Sequence, residues 1–226
     1  MNKLAKSTVI AALAAAGAGI ATPAAAQVSG IATVDLPRAV VQSQAFQTGY
    51  QQIGTQYQAQ RTTIEQRNQQ RAQLVQSFDT NSDGQIDQTE AAATQDANNA
   101  TVRQIQAIDQ ELATLQQPIN RARAYVVQQV AQQYSAAVQQ VVSANNIQFV
   151  ISPEAMIYAA ESADITQQVT TQLNTRVPSA QITPPADWQP SEASFGLFQQ
   201  IQQLLMMSAM QQQQQQAAQQ PASSGR

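Results

Sequence analysis

Apolar positions between residues 46 and 78 fall at alternating steps of four and three: Phe46, Tyr50, Ile53, Tyr57, Gln60, Ile64, Arg67, Arg71, Leu74, Phe78. This is the seam of a coiled-coil helix, with polar residues at three of the ten positions, Gln60, Arg67 and Arg71. A second seam runs Ile105, Ile108, Leu112, Leu115, Ile119, Ala122, Val126, then slips by one residue to Val127, Val130, Tyr134, Ala137, Val141. Such a slip marks a change of packing partner. Both stretches are rich in Ala, Gln and Arg, good helix formers, and at 1.5 Å per residue each makes a rod on the order of 50 Å. Two seams separated by one turn signal predict an antiparallel hairpin over 46–141 that projects from something else. Gly49, Gly54 and Pro118 are candidate bending points, or else tolerated irregularities. A stripe so thin predicts a rod that flexes and keeps apolar surface available for unfolded chains; a passive spacer between two ends is the other reading.

The flanks, 27–45 and 142–176, have a different texture. The run 30–36 is strand-like, and 145–152 with 155–160 reads as two more strands around Pro153 and Glu154. Asp164 is placed to cap a helix over 165–174, with Ile165, Val169 and Leu173 on one face. Three short strands from both ends of the segment predict a small shared sheet at the base, too small to stand alone. The expected fold is therefore mainly α: a long helical hairpin on a small β-sheet or barrel base completed by oligomerisation.

Composition narrows the chemistry. The 226 residues hold 11 Lys and Arg against 14 Asp and Glu, and neither His nor Cys. That excludes Ser-His-Asp and Cys-His nucleophiles, zinc knuckles, redox CxxC pairs and disulfides, and any metal must be bound by oxygen. Asp and Glu outside one loop are scattered, with no pair placed for acid–base work, so no enzyme is expected. Mean hydropathy is −0.31 although only 11% of residues are charged; the polarity comes from uncharged side chains, Gln above all.

The two ends look unlike domains. Residues 1–26 read as a secretory signal peptide: Lys3 and Lys6, an apolar run over 9–20, and a cleavage site at Ala24-Ala25-Ala26. The apolar run is short of the roughly 20 residues that span a bilayer, though a retained anchor is the alternative. After cleavage near Ala26 the basic residues are nine Arg against fourteen acids, a balance that does not suit nucleic acid. From 177 to 226 the chain is Pro- and Gln-rich and reads as mostly disordered. Phe195, Phe198, Ile201, Leu204 and Leu205 interrupt it at helical spacing, as a short docking helix or an unstructured sticky stretch.

At the hairpin tip, residues 79–90 spell DTNSDGQIDQTE, the twelve-residue pattern of an EF-hand calcium loop. Asp79, Asn81 and Asp83 offer side-chain oxygens, Gly84 the sharp turn, Gln85 a carbonyl, Asp87 a direct or water-mediated ligand, and Glu90 a bidentate carboxylate. Helical sequence flanks the loop on both sides, and four carboxylates would repel one another without a cation. A turn that needs no ion is the alternative. With no second such loop, Ca²⁺ affinity is expected in the weak extracellular range of roughly 0.1 to 1 mM.

Taken in order, the strand Ile31-Ala32-Thr33-Val34-Asp35-Leu36, the helix entry over 39–42, the long hairpin and the run 144–174 resemble the Skp/OmpH periplasmic chaperones of Gram-negative bacteria. The resembling run includes Asn-Asn-Ile-Gln-Phe-Val-Ile-Ser, Ala-Met-Ile-Tyr-Ala and Asp-Ile-Thr-Gln-Gln-Val. The resemblance spans about 150 residues, from Gly30 to roughly Arg176. It implies a homotrimer whose strands form a shared barrel, with three hairpins enclosing unfolded outer-membrane proteins in the periplasm without ATP. No phosphate-binding Gly loop occurs. Family members are typically strongly basic, so membrane or lipopolysaccharide contact does not carry over to this acidic chain. The expected function is a periplasmic holdase with a calcium loop at its tip; a calcium-binding structural or adaptor protein of the envelope is the alternative.

Overall fold

The computed structural model describes residues 30–219; the expected signal peptide lies outside them. The order is β1 (Ile31–Thr33), α1 (Leu36–Gln42), α2 (Gln44–Gln56), α3 (Gln58–Gln76), α4 (Gln88–Gln95), α5 (Ala100–Ala131), α6 (Tyr134–Ala144), β2 (Phe149–Ile151), α7 (Thr166–Arg176) and α8 (Glu192–Gln219). The fold is mainly α, a long helical hairpin on a small β base. Helices α2 and α3 form one arm and α5 the other.

Both seams face inward. On α5, Val102, Ile108, Leu112, Ile119, Ala122, Val126, Val127 and Val130 are buried. The one-residue slip at 126–127 falls where α2 and the base, rather than α3, surround α5. The first arm is uneven. On α2, Phe46 and Ile53 are buried, whereas α3 has no buried residue. Where its seam carries Arg, the arms are joined by ion pairs instead: Arg67 to Glu111 at 2.8 Å and Arg71 to Asp109 at 2.6 Å.

The helices are not interrupted at Gly49, Gly54 or Pro118. The first arm breaks at Ser43 and Tyr57, and the second between α5 and α6; α5 runs through Pro118. Buried Ser43 makes its break by side-chain chemistry: its Oγ donates to the Val40 carbonyl at 2.7 Å and accepts the Phe46 N–H at 3.3 Å, capping α2. Gly49 serves close packing, since a Cβ there would lie 3.0 and 3.1 Å from the two methyls of Val126.

At the base, β1 and β2 pair in parallel, Ile31 with Phe149, Ala32 with Val150 and Thr33 with Ile151. Instead of a third strand over 155–160, two 3₁₀ turns (Pro153–Ala155 and Glu161–Ala163) flank Ile157 and Tyr158, which point into solvent. The sheet edge is met by a single bridge from Thr33 to Asp164. Asp164 Oδ1 accepts the Thr166 N–H at 2.8 Å, and its carboxylate pairs with Arg38, which also donates to Thr166 Oγ1 at 3.1 Å. Burial works to raise the Asp164 pKa, but the Thr166 and Arg38 bonds outweigh it and hold the group below its ordinary value.

The tail is the largest departure from expectation. Residues from 192 to 219 form α8, and Leu197, Phe198 and Ile201 join the core of α1, α2, α5, α6 and α7. The Pro and Gln content that argues for disorder describes a segment with no core of its own; here the core is borrowed from α5 and α1.

Packing at the two glycines of α2 gives opposite expectations. Gly54→Ala, whose Cβ meets only the flexible end of Arg61 at 3.5 Å, stabilises the protein by about 0.5–1 kcal/mol. Gly49→Val destabilises it by about 1–3 kcal/mol through overpacking. Thermal unfolding of the two variants reads this as midpoint shifts of opposite sign.

Candidate functional site: the hairpin tip and the gap below it

The tip is not a single turn. After α3 the chain forms the acidic loop, then α4, then a second turn in which Asn99 Oδ1 accepts the Thr101 N–H at 2.8 Å and caps α5. In the loop the backbone reverses at Ser82 (φ 60°) and at Gly84 (φ 83°), the position where a residue without Cβ is expected.

Each residue expected to ligate through its side chain accepts from the loop's own N–H groups, and Gln85, expected to offer its carbonyl, is one of the donors. Asp79 accepts from Asp83 N at 3.1 Å and from Gly84 N at 2.8 Å. Asn81 Oδ1 accepts from Asp83 N at 2.9 Å, and Asp83 Oδ1 accepts from Gln85 N at 2.8 Å. Asp87 and Glu90 form a reciprocal pair at the start of α4: Asp87 Oδ1 accepts from Glu90 N at 2.9 Å, while Glu90 Oε2 accepts from Asp87 N at 3.2 Å. That is a capping box, a second reading of the Asp-x-x-Glu spacing that sequence reasoning missed although the spacing itself carries it.

Glu90 does more than cap. It is buried, and its Oε1 accepts from Thr80 N at 2.6 Å, Thr80 Oγ1 at 2.8 Å and Asn81 N at 3.2 Å, tying the start of the loop to its end. The Thr80 hydroxyl, with the Asp87, Thr80 and Asn81 N–H groups, stabilises the charged form and holds the Glu90 pKa below its usual value against the opposing effect of burial. Among the described residues, no three acidic side chains converge at metal-binding distance. The loop thus has the donor types and the turn of a cation loop, with its carboxylates aimed at N–H groups.

Below the tip, a groove of about 840 Å³ lies between the arms. Its lining is mixed, with Arg61, Glu65, Asn68 and Arg123 beside Ile64 and Ile119. At the base end it is bounded by a tight cluster in which Tyr50 stacks on Phe46 at 4.0 Å and the Arg123 guanidinium lies 5.7 Å over the Tyr50 ring. The apolar side chains Ile31, Phe149, Val150, Ile157 and Tyr158 are exposed around the small sheet. None of the described helices is long and apolar enough to cross a membrane.

Residues 30–173 match the model of a family described as outer membrane protein (OmpH-like). No curated protein matches the chain. Among solved structures, a candidate outer membrane chaperone (OmpH-like) from Caulobacter crescentus is 22% identical, with 71% of this chain and 93% of that one covered and a TM-score of 0.38.

A depressed carboxyl pKa contributes stability above the unfolded-state value and loses it as pH falls through the folded-state value. Protection factors of the tip amides at Thr80, Asn81 and Asp87, corrected for the intrinsic pH dependence of exchange, are therefore expected to be high at neutral pH and to fall as Glu90 protonates. In Glu90→Gln they are low at both pH values, while those of α5 near Val126 are unchanged; hydrogen exchange resolved by residue checks this.

Proposed function

The chain belongs to the OmpH-like family of outer membrane proteins, and from that premise we propose that it is an ATP-independent periplasmic holdase for unfolded outer-membrane proteins. Family membership is the observation that carries the reading. Two features support it physically. Helix α3 has no fully buried residue, so the arms hold each other less firmly there than at the base and can part around a client. The groove between them offers apolar, amide and charged groups together, which suits many weak contacts to chains of varied sequence.

The working unit in this reading is a homotrimer in which the exposed apolar side chains around β1 and β2 are covered by neighbouring copies. Five such side chains around a two-stranded sheet form a patch of the kind that marks an interaction site. The mature chain is acidic, so anionic membranes are not among the proposed partners.

Calcium is proposed at the tip, bound by Asp79, Asn81, Asp83, the Gln85 carbonyl, Asp87 and Glu90. For that, Glu90 and Asp79 exchange N–H donors for the ion, so binding competes with a satisfied network and is weak. An envelope adaptor that uses calcium without holding clients is the competing reading, favoured by the position of the loop at the outermost point of the hairpin.

Stoichiometric protein is expected to slow the aggregation of a denatured β-barrel protein diluted from urea, as read by light scattering. No slowing, with or without calcium, rejects the holdase and leaves the adaptor. Calorimetric titration with calcium is expected to give heat with wild type and none with Asp79→Ala or Glu90→Ala; equal heats reject the loop as the site.

A further inference from the structure

Residues 178–191 lie beyond the stretch that matches the family and run along one face of α5 without forming helix or strand. What holds them is mostly their main chain. Gln129 binds both polar groups of one residue: its Nε2 donates to the Gln181 carbonyl at 2.8 Å and its Oε1 accepts the Gln181 N–H at 3.0 Å. Gln128 Oε1 accepts the Ser191 N–H at 3.4 Å. One Arg121 nitrogen donates to the carbonyls of Pro185, Ala186 and Trp188, at 2.7, 2.8 and 2.7 Å. Arg121, Tyr125, Gln128 and Gln129 recur at helical spacing and share one face.

None of these bonds reads a side chain, so any irregular polypeptide presents the groups they recognise. Three side chains of the segment, Ala180, Ile182 and Trp188, are partly buried against the core; the largest, Trp188, packs edge-on against Tyr125 at 4.9 Å and walls a cavity of about 310 Å³ with Ala124 and Phe198. Its indole nitrogen is buried and finds no acceptor, which weakens the seat. The segment is anchored on both sides, by Leu173 of α7 and by Leu197, Phe198 and Ile201 of α8, all buried. If released between those anchors it stays at high local concentration and closes again readily.

We propose that this face of α5 is a track for the main chain of an unfolded polypeptide, and that residues 178–191 are its resident occupant, displaced when a client segment arrives. The proposal rests on the holdase reading and names where, and by which groups, a client is held. It places part of client binding on the outside of the hairpin, in competition with the protein's own tail. The tail then sets a threshold: a segment must offer more than the strap's few main-chain bonds, the half-buried Ala180 and Ile182, and one imperfect Trp seat.

Trp188 is the only Trp in the chain and reports on the strap. The full-length protein is titrated with a dye-labelled, Trp-free, unfolded polypeptide; anisotropy reads binding and Trp188 emission reads displacement. The expected result is a red shift of Trp188 with the same midpoint as the anisotropy. Gln181→Pro removes the N–H that Gln129 accepts and leaves α5 intact, so this variant is expected to bind the probe severalfold tighter. Probe binding that leaves Trp188 emission unchanged, with Gln181→Pro no tighter than wild type, overturns the track and spares the holdase. Absence of any probe binding overturns the holdase and the track with it.

Discussion

Helix α5 packs against α1, α2, α3, α6 and α8, and its partners change along its length. Near the base it packs against α2, α8 and the strap, with Val126, Val127 and Val130 fully buried. Toward the tip it faces α3, which buries no side chain. A buried Val or Ile contributes about 1.5–3 kcal/mol, whereas an exposed ion pair such as Arg67–Glu111 contributes about 0.2–1 kcal/mol. The apolar contacts therefore decide where the molecule is rigid, and the continuous cluster of them lies at one end.

That asymmetry organises the rest. Around β1 and β2 the Arg38–Asp164–Thr166 cluster ties the start of the described chain to α7, so both ends of the OmpH-like stretch close on one core. Outward from Tyr57 the buried apolar side chains thin out to Phe78, Val102, Ile108 and Leu112, and ion pairs that water can replace lie beside them. A tip so far from the core has to hold its own shape. Glu90 does this by binding three main-chain N–H groups and a hydroxyl of the same short segment. The proposed holdase uses the same contrast, with a stiff base and arms that yield.

Much of this was legible in residue spacing. Both seams were, down to the slip at 126–127, because a period near 3.5 survives even where Arg replaces an apolar side chain. The loop's donor types were legible as well, and so was its turn at Gly84. Where the helices break was not, because Ser43 acts through a buried hydroxyl and Gly49 through the proximity of Val126, and neither is visible without the partner helix. The third expected strand failed because a run such as Met156-Ile157-Tyr158 has strand-like residues but no neighbour to pair with in one chain. The disorder read from the tail's composition differs from the structure for the converse reason, since its order depends on α1 and α5, whereas the helical spacing of Phe195, Phe198 and Ile201 already offered a docking helix.

Stability is graded along the hairpin and set by the apolar face of α5. Native-state hydrogen exchange along α2, α3 and α5 measures this gradient. Exchange is expected to be slowest around Ile53 and over 122–130, and progressively faster through 58–76 and 102–115 toward the tip. Uniform protection from base to tip would contradict it, because a rod that opens as one unit is not held from one end.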